Sequence, residues 1–538
     1  MERMRVKTMG MAAAMLLAPA VQADEGMWMP SQLPDIAGPL REAGFQGAPA
    51  ELADLTRAPL NAVVKVGGAT GAFVSDQGLV LTNHHVAFGV IQYNSRPQRD
   101  LIRDGYVAGN RGEDVPANPD FRLLVTTGFD KVTGKVLAGA RGKTGRAYHD
   151  AVDAAGKALV AECEREGGVR CSVATMFYGR DFYLVKQLEL RDVRLVYAPP
   201  RAIGNYGDEV DNFVWPRHSG DFTVLRAYVG PDGKPADYAK ENRPYAPPAH
   251  LQVARDGVAE GDYVMLAGYP GITYRHRSAA EFRDQVEWRL PTAVATMKAL
   301  QDAIEDAGKT DAQAKIRYAA QLQSLKNGIK RFSGELEGLK RSNAVAVRRQ
   351  DEAAMLAWLD QQADAATLRP QIAAAAREIA AGNAGRERDL LLGLLQSQTQ
   401  LLRSALRLQR LAHERGMPDA ARESGYQQRD EELIAGQLRQ VQRRYDPAVE
   451  KRLLTTLLTR YQQLPDAQRL PEFDAAFGRT PAALAAALDR VYAATALGDE
   501  ARRLQWLKAA PAEVAASDDA DRKSTRLNSS PSLSRMPS

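Results

Sequence analysis

Only two of the 538 residues are cysteine and seven are histidine. Neither cysteine, Cys163 or Cys171, has a histidine or a third thiol nearby in sequence, and the chain contains no His-Glu-x-x-His run. A zinc site is therefore not expected, whether built on thiolates or on a helical histidine pair, and nothing in the sequence calls for any other cofactor. Past the first 23 residues no apolar stretch approaches the roughly 18 residues of a membrane-spanning helix, so no span is expected. A usable excess of charge is missing too. The formal charge is +5, but the basic residues behind it lie at the ends, in residues 1–23 and 522–538. The body is close to neutral, which gives no electrostatic reason to expect nucleic acid or an anionic membrane as partner.

The N-terminus has the form of an export signal. Arg3, Arg5 and Lys7 precede a short apolar run from Met9 to Ala18, and Val21-Gln22-Ala23 fits the small-x-small rule for cleavage. Residues 1–23 are thus expected to be removed, the mature chain to begin near Asp24, and the protein to be periplasmic or secreted. In that oxidising setting an even pair of cysteines eight residues apart suggests a disulfide, with Gly167-Gly168 as a turn between two hairpin arms. Residues 522–538 are rich in Ser, Arg and Pro without periodicity, and are expected to be a disordered or non-native tail.

Between these ends the texture changes once. Residues 24–275 alternate short apolar runs with glycine turns: 62–66, 72–74, 79–81, 122–127, 172–177, 181–187, 192–197, 222–229 and 263–268 read as strands, at a spacing that suits a β-barrel. Residues 86–120 and 140–166 read as loops and short helices. From 276 to 515 strand signals vanish. Leu391, Leu394, Leu395, Leu402, Ala405 and Leu408 recur at helical spacing, which predicts helix-on-helix core. Pro370, Gly382, Gly385, Gly416-Met417-Pro418 and Pro465 are expected to break this stretch into several helices.

Two segments carry chemistry. Leu79-Val80-Leu81-Thr82-Asn83-His84-His85 places a histidine pair after an apolar strand, where a ring can reach both a hydroxyl and an orienting carboxylate. Asp221 follows Ser219-Gly220 and precedes another strand; a buried carboxylate there can accept the Nδ1 proton of a histidine and fix its tautomer. Together they form two thirds of a serine-hydrolase triad. The third member is missing. Ser-Gly occurs at Ser219, Ser333 and Ser424, but arginine (Arg217, Arg331, Arg422) stands two residues before each, where a nucleophile turn wants glycine.

These residues, with Asp24-Glu25-Gly26-Met27-Trp28-Met29-Pro30, Phe88-Gly89-Val90-Ile91-Gln92, Asp192 to Pro199, Asp211 to Asp221 and Gly268-Tyr269-Pro270-Gly271, resemble the bacterial dipeptidyl-peptidase VII and XI family of serine exopeptidases, serine peptidase family 46. The resemblance spans roughly residues 24–520. It implies a chymotrypsin-like double β-barrel with an inserted α-helical cap domain, a homodimer, and an enzyme that releases dipeptides from the N-termini of oligopeptides. Carried over by position, His85 is the general base and Asp221 its orienting acid. Asn212 and Phe213 occupy the Asn-Trp pair that helps bind the substrate's α-amino group. Two departures stand out: Val86 where the family commonly has cysteine, and Phe213 where it has tryptophan, which keeps an aromatic wall but loses an indole N–H. By the same resemblance the second barrel lobe, with the nucleophilic serine and the specificity residue, would follow the helical domain. The chain is therefore expected to be a β + α fragment without that lobe, inactive as a peptidase and poorly soluble. A non-catalytic exported peptide-binding protein is the alternative.

Overall fold

The computed structural model describes residues 26–271, 274 and 276–516. The expected signal peptide, residues 1–23, and the expected tail, 522–538, lie outside the described residues, as do Asp24 and Glu25. The chain divides into two compact units. In the smaller, the segment up to Leu55 is joined by Val258–Val264. It is built of 3-10 turns at Pro30–Ile36 and Pro49–Leu52, with the Phe45 and Tyr263 rings 5.3 Å apart.

The larger unit holds one antiparallel sheet and a long helical region. Its strands are β1 (Val63–Val66), β2 (Ala69–Phe73), β3 (Leu79–Thr82), β4 (Tyr106–Val107), β5 (Val115–Pro116), β6 (Leu123–Lys131), β7 (Val169–Met176), β8 (Asp181–Leu190), β9 (Asp192–Ala198), β10 (Thr223–Val229) and β11 (Arg243–Pro244). They are ordered β4-β9-β10-β3-β2-β1-β6-β8-β7, with β5 on β9 and β11 on β10. Alternation sets the core. In β1, Val64 and Val66 face inward, and Phe73, Val80, Leu123, Val125, Leu195 and Leu225 join them in one cluster with Ala87, Val90 and Ile91 of the His84–Asn94 helix.

Residues 263–268 form no strand. Leu266 is fully exposed, and none of the described strands pairs with that run. The next residues dock on the sheet instead: the Tyr269 N–H donates to Thr70 Oγ1 (2.9 Å), and its phenol pairs with Thr126 Oγ1 (2.7 Å). Gly268 is needed there, because a Cβ would come within 2.6 Å of Thr70 Oγ1. Residues 145–163 form one helix of 19 residues rather than short pieces. Cys163 and Cys171 are bridged, but between the end of that helix and strand β7, not between hairpin arms.

Helices run from Ala279 to Ala516. Leu391, Leu395, Ala405 and Leu408 are buried as their spacing predicts, with Leu394 and Leu402 packed at the edge of the core. The helices Leu290–Gly308, Arg386–Gln398 and Pro447–Gln462 share one cluster. Pro370 does not break the chain; it lies inside the helix Ala365–Gly382. The carbonyl it leaves without an amide partner belongs to Ala366, which is exposed, so water can replace the lost bond. Among the described residues no helix is long and apolar enough to cross a membrane.

Candidate active site

Strand register creates the site. Antiparallel pairing sets Thr82, the last residue of β3, opposite Thr223, the first of β10. The residues that follow Thr82 therefore run beside those that precede Thr223, and the register alone brings Asn83-His84-His85 to Asp221. The chain then turns into the helix His84–Asn94, whose first backbone N–H groups have no partner within the helix. Asp221 supplies one. Its Oδ1 accepts the His85 backbone N–H at 3.0 Å, while its Oδ2 lies 2.8 Å from His85 Nδ1. Asn83, at the capping position, does not cap its own helix. Its amide donates to the Asp221 carbonyl (3.1 Å) and to Oδ2 (3.4 Å).

One carboxylate is thus held by ring, backbone and amide donors. Burial alone would raise the Asp221 carboxyl, but the His85 hydrogen bond and charge, its backbone N–H and the Arg217 charge outweigh it and hold the group below the usual carboxylate range. The side chain of Asp221 is 15% exposed and that of His85 57%. With Nδ1 tied to Asp221, the ring presents Nε2 outward, and among the described residues no hydroxyl bonds to it. Such a dyad can take a proton at Nε2 while the carboxylate stabilises the imidazolium that forms.

The neighbouring His84 has a different role. It is fully buried, neither ring nitrogen has a hydrogen-bond partner, and its ring meets Phe88 edge-on at 5.6 Å. Burial is the main cause of its low pKa, pushed down to about 4, with Asp221 opposing and His85 and Arg201 adding to it. The ring lies against Gly204, where a Cβ would come within 2.6 Å of it.

Asn212 and Phe213 lie on the same β9–β10 connection as Asp221. Asn212 is buried; its amide donates to Glu209 Oε2 (2.6 Å) and Asn327 Oδ1 (2.8 Å), and its carbonyl accepts from Arg217 (3.0 Å). One lone pair of that oxygen remains for another donor. Phe213 takes a positive φ of 59° and is exposed, as are Val214 and, at 92%, Trp215. With Tyr206, Val210 and Phe222 they make this connection an unusually apolar surface. The helix Ala319–Arg341 holds the loop in place: besides Asn327, Lys326 reaches Asp208 (3.6 Å) and Lys330 donates to the Val210 carbonyl (3.3 Å). Sequence reading missed Glu209, Asn327 and the bracing by Asn83. Only the Glu209-x-x-Asn212 spacing carries a local signal; Asn327 is 115 residues from its partner. Of the three Ser-Gly candidates, Ser219 donates its hydroxyl to the Gly204 carbonyl (3.0 Å), while Ser333 and Ser424 lie in the helical region.

Residues 23–526 match the family model described as Peptidase S46. The Asp/Glu-specific dipeptidyl-peptidase of Shewanella putrefaciens is 38% identical over 500 residues, 93% of this chain and 68% of that protein. Dipeptidyl-peptidase 7 of Porphyromonas gingivalis is 30% identical over 485 residues, 87% of this chain and 65% of that protein. The crystal structure of Porphyromonas endodontalis DPP11 in complex with the dipeptide Arg-Glu superposes with a TM-score of 0.70 at 26% identity, covering 94% of this chain and 73% of that one. The chain spans about two thirds of the length of these curated relatives.

Proposed function

Since the chain belongs to the peptidase S46 family, we propose that it carries the base and orienting-acid half of an exported serine-type dipeptidyl-peptidase, an enzyme that removes dipeptides from the N-termini of oligopeptides. The observation that carries this reading is the 2.8 Å contact of His85 Nδ1 with the largely buried Asp221, beside an open Nε2. In the reaction His85 Nε2 takes the proton of a serine hydroxyl as that oxygen attacks the peptide carbonyl, then returns it to the leaving amine. Asp221 stays ionised and keeps the ring in the tautomer whose Nε2 can accept. Water repeats the sequence on the acyl-enzyme.

The serine is proposed to lie outside this sequence, on a second lobe that completes a chymotrypsin-like fold and covers the apolar Phe213–Trp215 surface. The substrate's α-ammonium would sit at Asn212, oriented by Glu209 and Asn327, with Phe213 as its wall. An amine held at a fixed end of the cleft sets the cut two residues away. Assembly as a homodimer follows the same resemblance.

A fluorogenic dipeptidyl substrate tests the assignment. The chain as given should not turn it over, whereas a longer version reaching the full length of the relatives should. In that version Asp221→Asn should lower kcat by about 10⁴-fold with the fold intact. Turnover by the purified 538-residue chain would instead put the nucleophile inside this sequence.

A further inference from the structure

The helix that carries His85 rests, in its second half, on segments that line a cavity in the helical region. This cavity holds about 200 Å³ and is lined by Arg317, Gln321, Ser324, Ser397, Arg403 and Arg444 among others, none of them acidic. Arg317 faces Asp446 at 3.7 Å, and Arg403 donates to Gln400 Oε1 at 2.7 Å. Among the described residues neither Arg403 nor Arg444 has an ion pair, and Arg444 Nε is buried without a hydrogen-bond partner. The nearby carboxylates have other tasks. Glu450 accepts the backbone N–H groups of Gln400 (2.6 Å) and Leu401 (2.8 Å), Asp446 caps the helix Pro447–Gln462, and Asp120 accepts from Asn118. Burial holds both guanidinium groups below their usual range. Repulsion from Arg407 and Arg444 adds to this for Arg403 against Glu450 and Asp120, and Asp120 opposes it for Arg444.

Partly buried cations with no direct ion pair are costly, and arginine forks match oxyanions two bonds at a time. The volume is below the roughly 300–1,000 Å³ of common ligand clefts, which suits a small ion rather than a peptide. The arginines also reach the histidine helix. Gly89 lies one turn beyond His85 on the same face, and a Cβ there would come within 3.0 Å of an Arg444 nitrogen. Gln92, buried three residues on, donates to the carbonyls of Arg443 (2.8 Å) and Arg317 (3.5 Å). The Phe88–Gln92 segment is therefore the seat on which two of the three arginine-bearing segments rest.

We propose that this cavity binds a small, multiply charged oxyanion of phosphate or polycarboxylate chemistry, and that its occupant braces the helix carrying His85. The test compares the purified chain in inorganic phosphate, in citrate and in chloride at equal ionic strength and pH, by thermal melting, calorimetric titration and amide exchange. A saturable rise in Tm with phosphate or citrate, absent with chloride, is expected, together with slower exchange in residues 84–94. The tighter binder of the two identifies the source. Arg403→Gln and Arg444→Gln should each weaken binding by about tenfold or more. Arg317→Gln, at a third lining position, provides the same readout if either of these variants fails to fold. Equal melting in all three salts, or unchanged affinity in the folded variants, would overturn the site. Binding without change in exchange at 84–94 would overturn the bracing. None of these readouts needs turnover, so they stand or fall apart from the peptidase reading.

Discussion

In the sheet, buried acids come with partners. Asp114 takes the Arg226 guanidinium and the Tyr228 phenol, Asp192 takes Arg194 and the Asn242 amide, and Asp221 takes His85 and Asn83. The helical region also buries acids, Glu414, Asp430 and Glu450, but its one fully buried cation among the described residues is served by neutral groups. Arg503 is completely enclosed, donates to the carbonyls of Leu438 and Leu497, and leaves one nitrogen unpaired. Arg403 and Arg444, partly buried, likewise have no ion pair among the described residues. The difference follows from the chain's geometry. Register lets a strand deliver a specific partner to a specific acid, whereas Arg503 meets backbone carbonyls, of Leu438 inside a helix and Leu497 in a turn, which it can use but which do not neutralise it.

The sharpest test of that contrast is Arg503→Ala. It removes two carbonyl partners and opens a cavity, and should cost about 4 kcal/mol in a denaturant titration, while Arg503→Met should cost less than half of that. A loss under about 1 kcal/mol for the alanine variant would show that the helical region does not depend on its buried cations.

Acid titration should expose the sheet side next. Folded His84 stays neutral down to about 4, while the unfolded residue protonates near 6.5. Its contribution is therefore complete above pH 6.5 and is lost as pH falls toward 4, about 3 kcal/mol in all. His84→Phe should flatten stability against pH in that window, because the ring nitrogens have no partners to lose. An unchanged slope would place the acid sensitivity elsewhere.

Gly204→Ala presses a methyl group into the same ring and should cost about 2 kcal/mol by thermal melting. The smallest effect on stability belongs to Asp221→Asn. The amide still accepts the His85 N–H, so stability should fall by only about 1 kcal/mol, and the Asp221 contribution that is lost as pH falls through its depressed carboxyl pKa should vanish.

Much of this arrangement was legible in the residues. Apolar runs between turns marked β1, β3, β9 and β10, leucine spacing marked the helices, and the histidine pair after an apolar strand with Asp221 before another suggested the pairing of His85 with Asp221 that the structure shows. What stayed hidden depends on pairing at long range. Residues 263–268 are the apolar run of a strand but pair with none of the described strands, and Pro370 has the signature of a break but an exposed turn that tolerates it. The division of labour between His84 and His85 is not local either. It is decided by Gly204 and Asp221, more than a hundred residues away, which bury one ring and hold the other outward.

Asp221 has one further consequence. The same carboxylate closes the end of a helix and steadies an imidazole, so folding selects for it whether or not the chemistry is used. A descendant that had lost its nucleophile would still be under pressure to keep this aspartate. In a lineage of such chains the His85–Asp221 pair should decay more slowly than the proposed nucleophile, and its persistence records the needs of the fold before it records activity.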